Sequence, residues 1–362
     1  MEAEVKDLWY EIELILAQHC LKNIELKNKE IFLFGAGRVG RDVFDNLKGN
    51  YNISGFVDNN SKLWGKFVDG IPVFAPDEVL RRNDCFVIIT IISKYCNAVR
   101  KQLCDIGVKN TTWLEYLLFV NKDKFNFVLE NQLCDTFSKV TYLKLILAQI
   151  TGNREYRNQV FCRNQYFALP EFNMPLHREI FVDCGAYVGD TIEDYIRARR
   201  GSVNKIIAFE PNERIFHALK SRRNRLVEEW TLNKSNIKIE RKALGRSSDT
   251  CSMLVGINGE AAARIDDASK GEIDMVSLDE YLADVVREPL FIKVDIEGYE
   301  KMMLYGAMKL IKERKPLIAI SIYHKSEDLY EIPLLIKSWN PDYKMSIRSH
   351  MPDDMEIVLY CY

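Results

Sequence analysis

Two acidic residues and two glycines carry the first chemical reading of this chain. Asp183 closes an apolar run, Gly185 and Gly189 follow it, and Glu210 ends the next apolar run 21 residues beyond Gly189. Glycines in such a turn let the backbone approach a ligand closely, and a carboxylate at the tip of the second strand accepts both ribose hydroxyls. A dinucleotide fold would instead aim its glycine turn at a pyrophosphate on a helix N-terminus. The acid-first order therefore fits a nucleoside without phosphates. Asp183 would hold its amino-acid end, directly or through water, and Glu210 its ribose. Farther on, Asp295 and Glu297 stand two residues apart, on one face of an extended chain, and His324 follows the next apolar run. A carboxylate or an imidazole within reach of a hydroxyl serves as a general base. The same three residues also suit a divalent cation.

Residues of this kind need a sheet that gathers strand ends at one edge. Apolar runs predict seven strands at 179–183, 205–209, 237–241, 290–294, 317–322, 345–349 and 357–360. A similar alternation appears upstream: strand 31–34, glycine turn 35–40, helix 41–47, and strand 53–57 ending at Asp58. Helix 76–82, strand 86–89 and helical periodicity over 95–106 follow, and a packing helix over 5–21 precedes the unit with Leu8, Ile12, Ile15 and Leu16 on one face. Between 122 and 178 the pattern weakens to a helix at 140–150 and a polar, aromatic stretch. The expected fold is α/β, with two tandem doubly wound Rossmann-like domains at 1–121 and 179–362 and a helical connector at 122–178.

The balance of 50 Lys and Arg against 52 Asp and Glu, net −2, supplies no global basic surplus for nucleic acid. Nine cysteines without a CxxC pair argue against a zinc ribbon or a disulfide framework. The acidic start lacks the basic and apolar blocks of a signal peptide, and the longest apolar run, 85–92, is far short of the ~20 residues of a membrane helix. A cytoplasmic protein with no membrane span and no nucleic-acid partner is expected; the sequence leaves its oligomeric state open.

Four blocks in order carry a family resemblance: Phe181 to Thr191 (FVDCGAYVGDT), Ala208 to Asn212 (AFEPN), Val276 to Tyr281 (VSLDEY) and Ile292 to Glu300 (IKVDIEGYE). Together they resemble the FkbM family of S-adenosylmethionine-dependent methyltransferases, over roughly residues 179–362. The resemblance implies a seven-stranded class I methyltransferase sheet with an antiparallel last strand, and the cofactor across the strands' carboxyl ends. It also implies methylation of an oxygen, often on a sugar or a polyketide-type product. Carried over by position, Asp183, Gly185 and Gly189 would line the methionine end, Glu210 would bind the ribose, and Ala243 and Leu244 would sit near the adenine. Ala186, Asp190, Thr191, Pro211, Asn212 and Asp295 complete the cofactor candidates. Tyr187 departs from the Asn common in the family.

Methyl transfer is an in-line displacement at a sulfonium, so the protein chiefly aligns donor and acceptor. Asp295, Glu297 and His324 are the candidate bases. Asp295 would equally orient the cofactor's ammonium group, Glu297 would equally cap the helix starting near Tyr299, and His324 would equally be a hydrogen-bonded loop residue. The resemblance requires no metal. Asp279 and Glu280 are expected to open a helix over 278–285. Cys184 reads as a packing residue, and the basic runs 197–200 and 220–225 as solvated helix faces.

Gly35, Gly37, Arg38, Gly40 and Asp58 form a dinucleotide-type fingerprint in the first domain, with Asp58 18 residues past Gly40. With the segments 55–60 and 70–73, it looks like the Rossmann-type domains fused to sugar-modifying enzymes, thought to bind a nucleotide or nucleotide-sugar. The plainer alternative is tight helix–sheet packing without a ligand. The combined expectation is an S-adenosylmethionine-dependent O-methyltransferase acting on a sugar or glycan-linked hydroxyl. The alternatives are a nucleotide-sugar-binding or regulatory protein with a non-catalytic methyltransferase fold, and an NAD-dependent oxidoreductase using the first domain.

Overall fold

The computed structural model describes residues 2–18, 26, 29–79, 85–91, 93–174, 176–256, 259–266, 271–284, 288–352 and 355–362. The far ends of the helices expected over 5–21, 76–82 and 278–285, and Cys20 and Ile92, lie outside the described residues.

The first unit is a six-stranded sheet of β1 (Glu30–Phe34), β2 (Ile53–Val57), β3 (Phe67–Val68), β4 (Ile71–Phe74), β5 (Cys85–Ile89) and β6 (Lys109–Thr112). Its order is β3-β4-β2-β1-β5-β6, parallel except where β3 meets β4. β1 and β5 are buried on both faces, as continuous Ile, Leu, Val and Phe runs in parallel strands require. The short strands β3, β4 and β6 have no such run and are not legible as strands in the sequence. The helix Glu2–Gln18 buries Val5, Leu8 and Ile12.

Two connector helices, Lys122–Asn131 and Thr136–Thr151, join the sheets, and the longer one is capped by the Asp135 carboxylate accepting from the Ser138 N–H at 2.8 Å. Bridges at Leu133 and Phe161 attach the connector to the edge of the second sheet. One apolar core runs continuously under both sheets.

The second unit contains β7 (Ile180–Cys184), β8 (Lys205–Phe209) and β9 (Ile237–Glu240), then β10 (Ala243–Leu244), β11 (Asp249–Gly256), β12 (Gly259–Asp266) and β13 (Ile273–Val276). β14 (Leu290–Val294), β15 (Leu317–Ser321), β16 (Met345–Ser349) and β17 (Ile357–Cys361) complete it. Seven strands run β16-β17-β15-β14-β7-β8-β9, and β17, last in the chain, is antiparallel to both its neighbours. This is the expected methyltransferase sheet. The separate four-stranded sheet β10-β13-β11-β12 was not expected.

Two local expectations are corrected and one holds. Arg199 is no part of a solvated basic face: its guanidinium is buried against Glu179 at 2.8 Å. Asp279 and Glu280 stand in the first turn of the helix Leu278–Tyr281, as expected, behind the Ser277 cap; the Asp279 carboxylate also accepts from the N–H groups of Lys309 and Leu310 at a later helix start. Glu297 does not cap the helix Glu300–Tyr305; the Glu300 carboxylate turns back to accept from Ile296 and Gly298 N–H.

Candidate active site

A cleft of about 390 Å³ opens across the carboxyl ends of β7, β8 and β14. Parallel strands put it there: their carboxyl ends point the same way, and the loops that leave them diverge. At β7 the chain turns sharply. Gly185 has φ +88°, and a Cβ there would lie 1.9 Å from the Asp295 carbonyl oxygen, so only glycine lets β7 and β14 exit side by side. Tyr187 also adopts a left-handed conformation, φ +47°, which Asn tolerates better than a bulky side chain. The loop thus places an aromatic ring at the cleft mouth at some conformational cost.

Glu210, at the end of β8, lines the cleft and is 6% exposed. Its oxygens accept from the backbone N–H of Tyr187 at 3.0 Å and of Asn212 at 2.8 Å, which aims the carboxylate along the cleft. Burial pushes its pKa up to about 7, against the pull of these two N–H groups. Gly185, Asp190, Thr191, Pro211, Ala243, Leu244, Asp295 and Glu297 share the lining. Asp183, Ala186, Gly189 and Asn212 do not. Asp183 is fully buried beneath the cleft with Lys293 Nζ 3.1 Å from Oδ1. Asn212 caps the next helix through Ile215 N–H, and Gly189, φ +83°, lets the preceding loop enter its helix.

The sequence reading missed Lys293. It sits two residues before Asp295, donates to the Gly185 carbonyl at 2.6 Å, and stays charged because Asp183 and Asp295 outweigh its burial. Its place in a buried strand was the available signal: a lysine there demands a partner. Tyr166, from the connector, was invisible to local reading. Its hydroxyl donates to Asp295 Oδ2 at 2.9 Å, and Tyr323 donates to Oδ1 at 3.4 Å.

Asp295, Glu297 and His324 come together. His324 Nε2 is 3.6 Å from Asp295 and 3.7 Å from Glu297, while Nδ1 is 2.9 Å from Glu300. Burial opposes a charged imidazole here, but the Glu300 and Glu297 carboxylates prevail and raise its pKa well above the ordinary range. Burial likewise pushes Glu300 up, yet His324 and two backbone N–H groups hold it near 2. Glu297 also ends below the usual carboxylate range, because His324 and Arg38 outweigh its burial.

In the first domain, Gly35 and Gly40 are packing glycines: Cβ atoms there would meet Ile91 Cγ2 at 2.6 Å and the Gly35 carbonyl oxygen at 1.9 Å. Gly37 faces open space. The Asp58 carboxylate accepts from Ala36 and Asn60 N–H, and Arg38 reaches across to Glu297 at 3.4 Å.

With this geometry in place, residues 183–345 match the methyltransferase FkbM domain. The match covers 163 of the 362 residues, a little under half of the chain. Residues 27–113 match the C2185-like N-terminal family. The methyltransferase FkbM of Methylobacillus flagellatus KT is similar in fold throughout, with TM-score 0.55 at 21% identity over 99% of this chain and 97% of that one. UDP-D-quinovosamine 4-dehydrogenase of Vibrio fischeri aligns with 26% of this chain and 85% of its own (18% identity, TM-score 0.22). An rRNA methylase of Streptococcus thermophilus aligns with 51% and 84% (15% identity, TM-score 0.30). No curated protein matches the chain. The matched segment spans the cleft and most of the seven-stranded sheet, which the antiparallel β17 completes. Among the described residues, no helix is long and apolar enough to cross a membrane.

Proposed function

We propose that this methyltransferase uses S-adenosylmethionine and methylates a hydroxyl of a sugar or glycan-linked acceptor. One observation carries the reading: Glu210, just past β8, and Asp295, just past β14, line one cleft from the strands on either side of β7. The residues fit the cofactor. Glu210 presents an oriented carboxylate to the ribose hydroxyls, and Ala243 and Leu244 offer an apolar wall to the adenine.

The cofactor would supply an electrophilic methyl group. The chain's own part is to align the acceptor, exclude water and accept its proton. Asp295 and Glu297 line the cleft and are placed to take that proton; His324, outside the lining and held charged by Glu300, faces both carboxylates from behind. Asp183 acts from below, through Lys293, rather than on the ligand itself.

Calorimetry with S-adenosylhomocysteine tests the reading. Binding by the wild type that is lost in Glu210→Ala supports it, and no binding by the wild type overturns it. Methyl transfer from labelled cofactor to candidate glycans then tests the acceptor class.

A second reading concerns the first domain, where the open face of Gly37 and the neighbouring Arg38 would admit a nucleotide or nucleotide-sugar. Its test is binding of such a ligand by the wild type and not by Gly37→Val.

A further inference from the structure

Four ionisable side chains meet where β14 and β15 end, and the reading above uses two of them as proton acceptors. Donor atoms of Asp295, Glu300 and His324 lie within 4.8 Å of one another. His324 Nε2 stands 3.6 Å from Asp295 Oδ1 and 3.7 Å from Glu297 Oε2, too far for a hydrogen bond to either. The imidazole is only 2% exposed, and Nε2 has no hydrogen-bond partner among the described residues. Glu300 Oε2 is likewise buried without a partner among them.

An imidazole nitrogen aimed between carboxylate oxygens at these separations has the spacing of ligands sharing one ion. Donors about 2.0–2.2 Å from a common centre lie roughly 3–4 Å apart. Three carboxylates around one imidazole also hold more negative charge than a single proton balances. Arg38, 3.4 Å from Glu297, offsets part of that surplus from the first domain.

We propose that Asp295, Glu300 and His324, with Glu297 beside them, form a site for a divalent cation of the magnesium or manganese class. Carboxylate oxygens with a single imidazole and no thiolate select hard ions. His324 would ligate as neutral imidazole, the ion standing in for its proton. Because Asp295 and Glu297 line the cleft, the ion's remaining positions face the acceptor side, where a bound hydroxyl becomes a stronger acid. The site needs these four residues alone; its use in methyl transfer rests on the reading above.

Manganese(II) titrated into the full chain tests the site, with the free ion followed by electron paramagnetic resonance and the heat by calorimetry. The expected result is one saturable site per chain, weakened at least tenfold in Asp295→Asn and in His324→Gln, with fold checked by circular dichroism. If His324→Gln does not fold, Asp295→Asn, at a side chain 20% exposed, carries the test. No saturable binding by the wild type, or binding unchanged in Asp295→Asn, overturns the proposal. Affinity for S-adenosylhomocysteine, measured without metal, reports on the cofactor reading separately. Its absence with manganese binding intact sinks that reading and leaves this one standing.

Discussion

Arg38, the first residue of the helix Arg38–Leu47 that follows β1, lies 3.4 Å from Glu297 in the loop after β14, although 259 residues separate them in the chain. The first domain therefore reaches a cleft-lining loop of the second directly. Both side chains are about one-third exposed, at 34% and 29%, so the pair contributes about 0–1 kcal/mol after solvent screening. Arg38→Ala should leave urea stability within about 1 kcal/mol of wild type. It should also raise the pKa of Glu297, which loses a cation that now helps to depress it. A carbon-detected titration of the glutamate carboxyls would show the change, and an unmoved Glu297 would mean that the contact is electrostatically idle.

Glu210 gives the protein a pH dependence whose sign follows from its burial. Its folded pKa of about 7 lies above the ~4.3 of an exposed glutamate. The folded chain therefore keeps a proton that the unfolded chain releases, and the stability this group confers is complete below about pH 4 and lost as pH rises through 7. Glu210→Gln removes the dependence. The stability of the variant relative to wild type should rise by on the order of 3 kcal/mol between pH 4 and pH 8. Urea unfolding at the two pH values measures it, and a constant difference would contradict the burial of this carboxyl.

Glu300 has the opposite sign. Held near 2 by His324 and two N–H groups, its carboxylate stabilises the fold above the unfolded pKa, and that contribution disappears as pH falls from about 4 through 2. Glu300→Gln leaves a buried imidazolium without its nearest counter-charge, a loss of about 3–5 kcal/mol at pH 7. The deficit should shrink in acid, where the wild type loses the same charge. Thermal or urea unfolding across pH 2–7 would reveal a parallel pair of curves instead if Glu300 and His324 were not coupled.

Gly185→Ala tests the crossing of β7 and β14. With φ +88° and the Asp295 carbonyl 1.9 Å from the new Cβ, the strands must part, costing more than about 1 kcal/mol and moving Asp295. Stability and affinity for S-adenosylhomocysteine should fall together. A variant that binds as the wild type does would show that the close approach is dispensable.

How much of this was legible beforehand depends on the range of the interactions. Strands such as Ile31 to Phe34 and Phe86 to Ile89 announce themselves, because burial on both faces demands an unbroken apolar run. Gly185 and Glu210 were readable for a related reason: a turn that forbids a Cβ and an acid at a strand tip are local constraints. The sheet β10-β13-β11-β12 was not, since its strands are held by pairing across sequence rather than by composition.

Composition, apolar periodicity and the spacing of a few glycines and acids determined the two α/β units, the seven strand runs of the second and the placing of Glu210 on a strand end; the antiparallel last strand came from the family resemblance alone. Tertiary structure alone decided that Asp183 lies beneath the cleft behind Lys293, that Tyr166 of the connector donates to Asp295, and that Glu300 holds the charge on His324. The reason is physical. Local patterns record which face of an element is buried, whereas the ionisation and hydrogen bonding of a buried group depend on side chains that only folding brings within 3 or 4 Å of it.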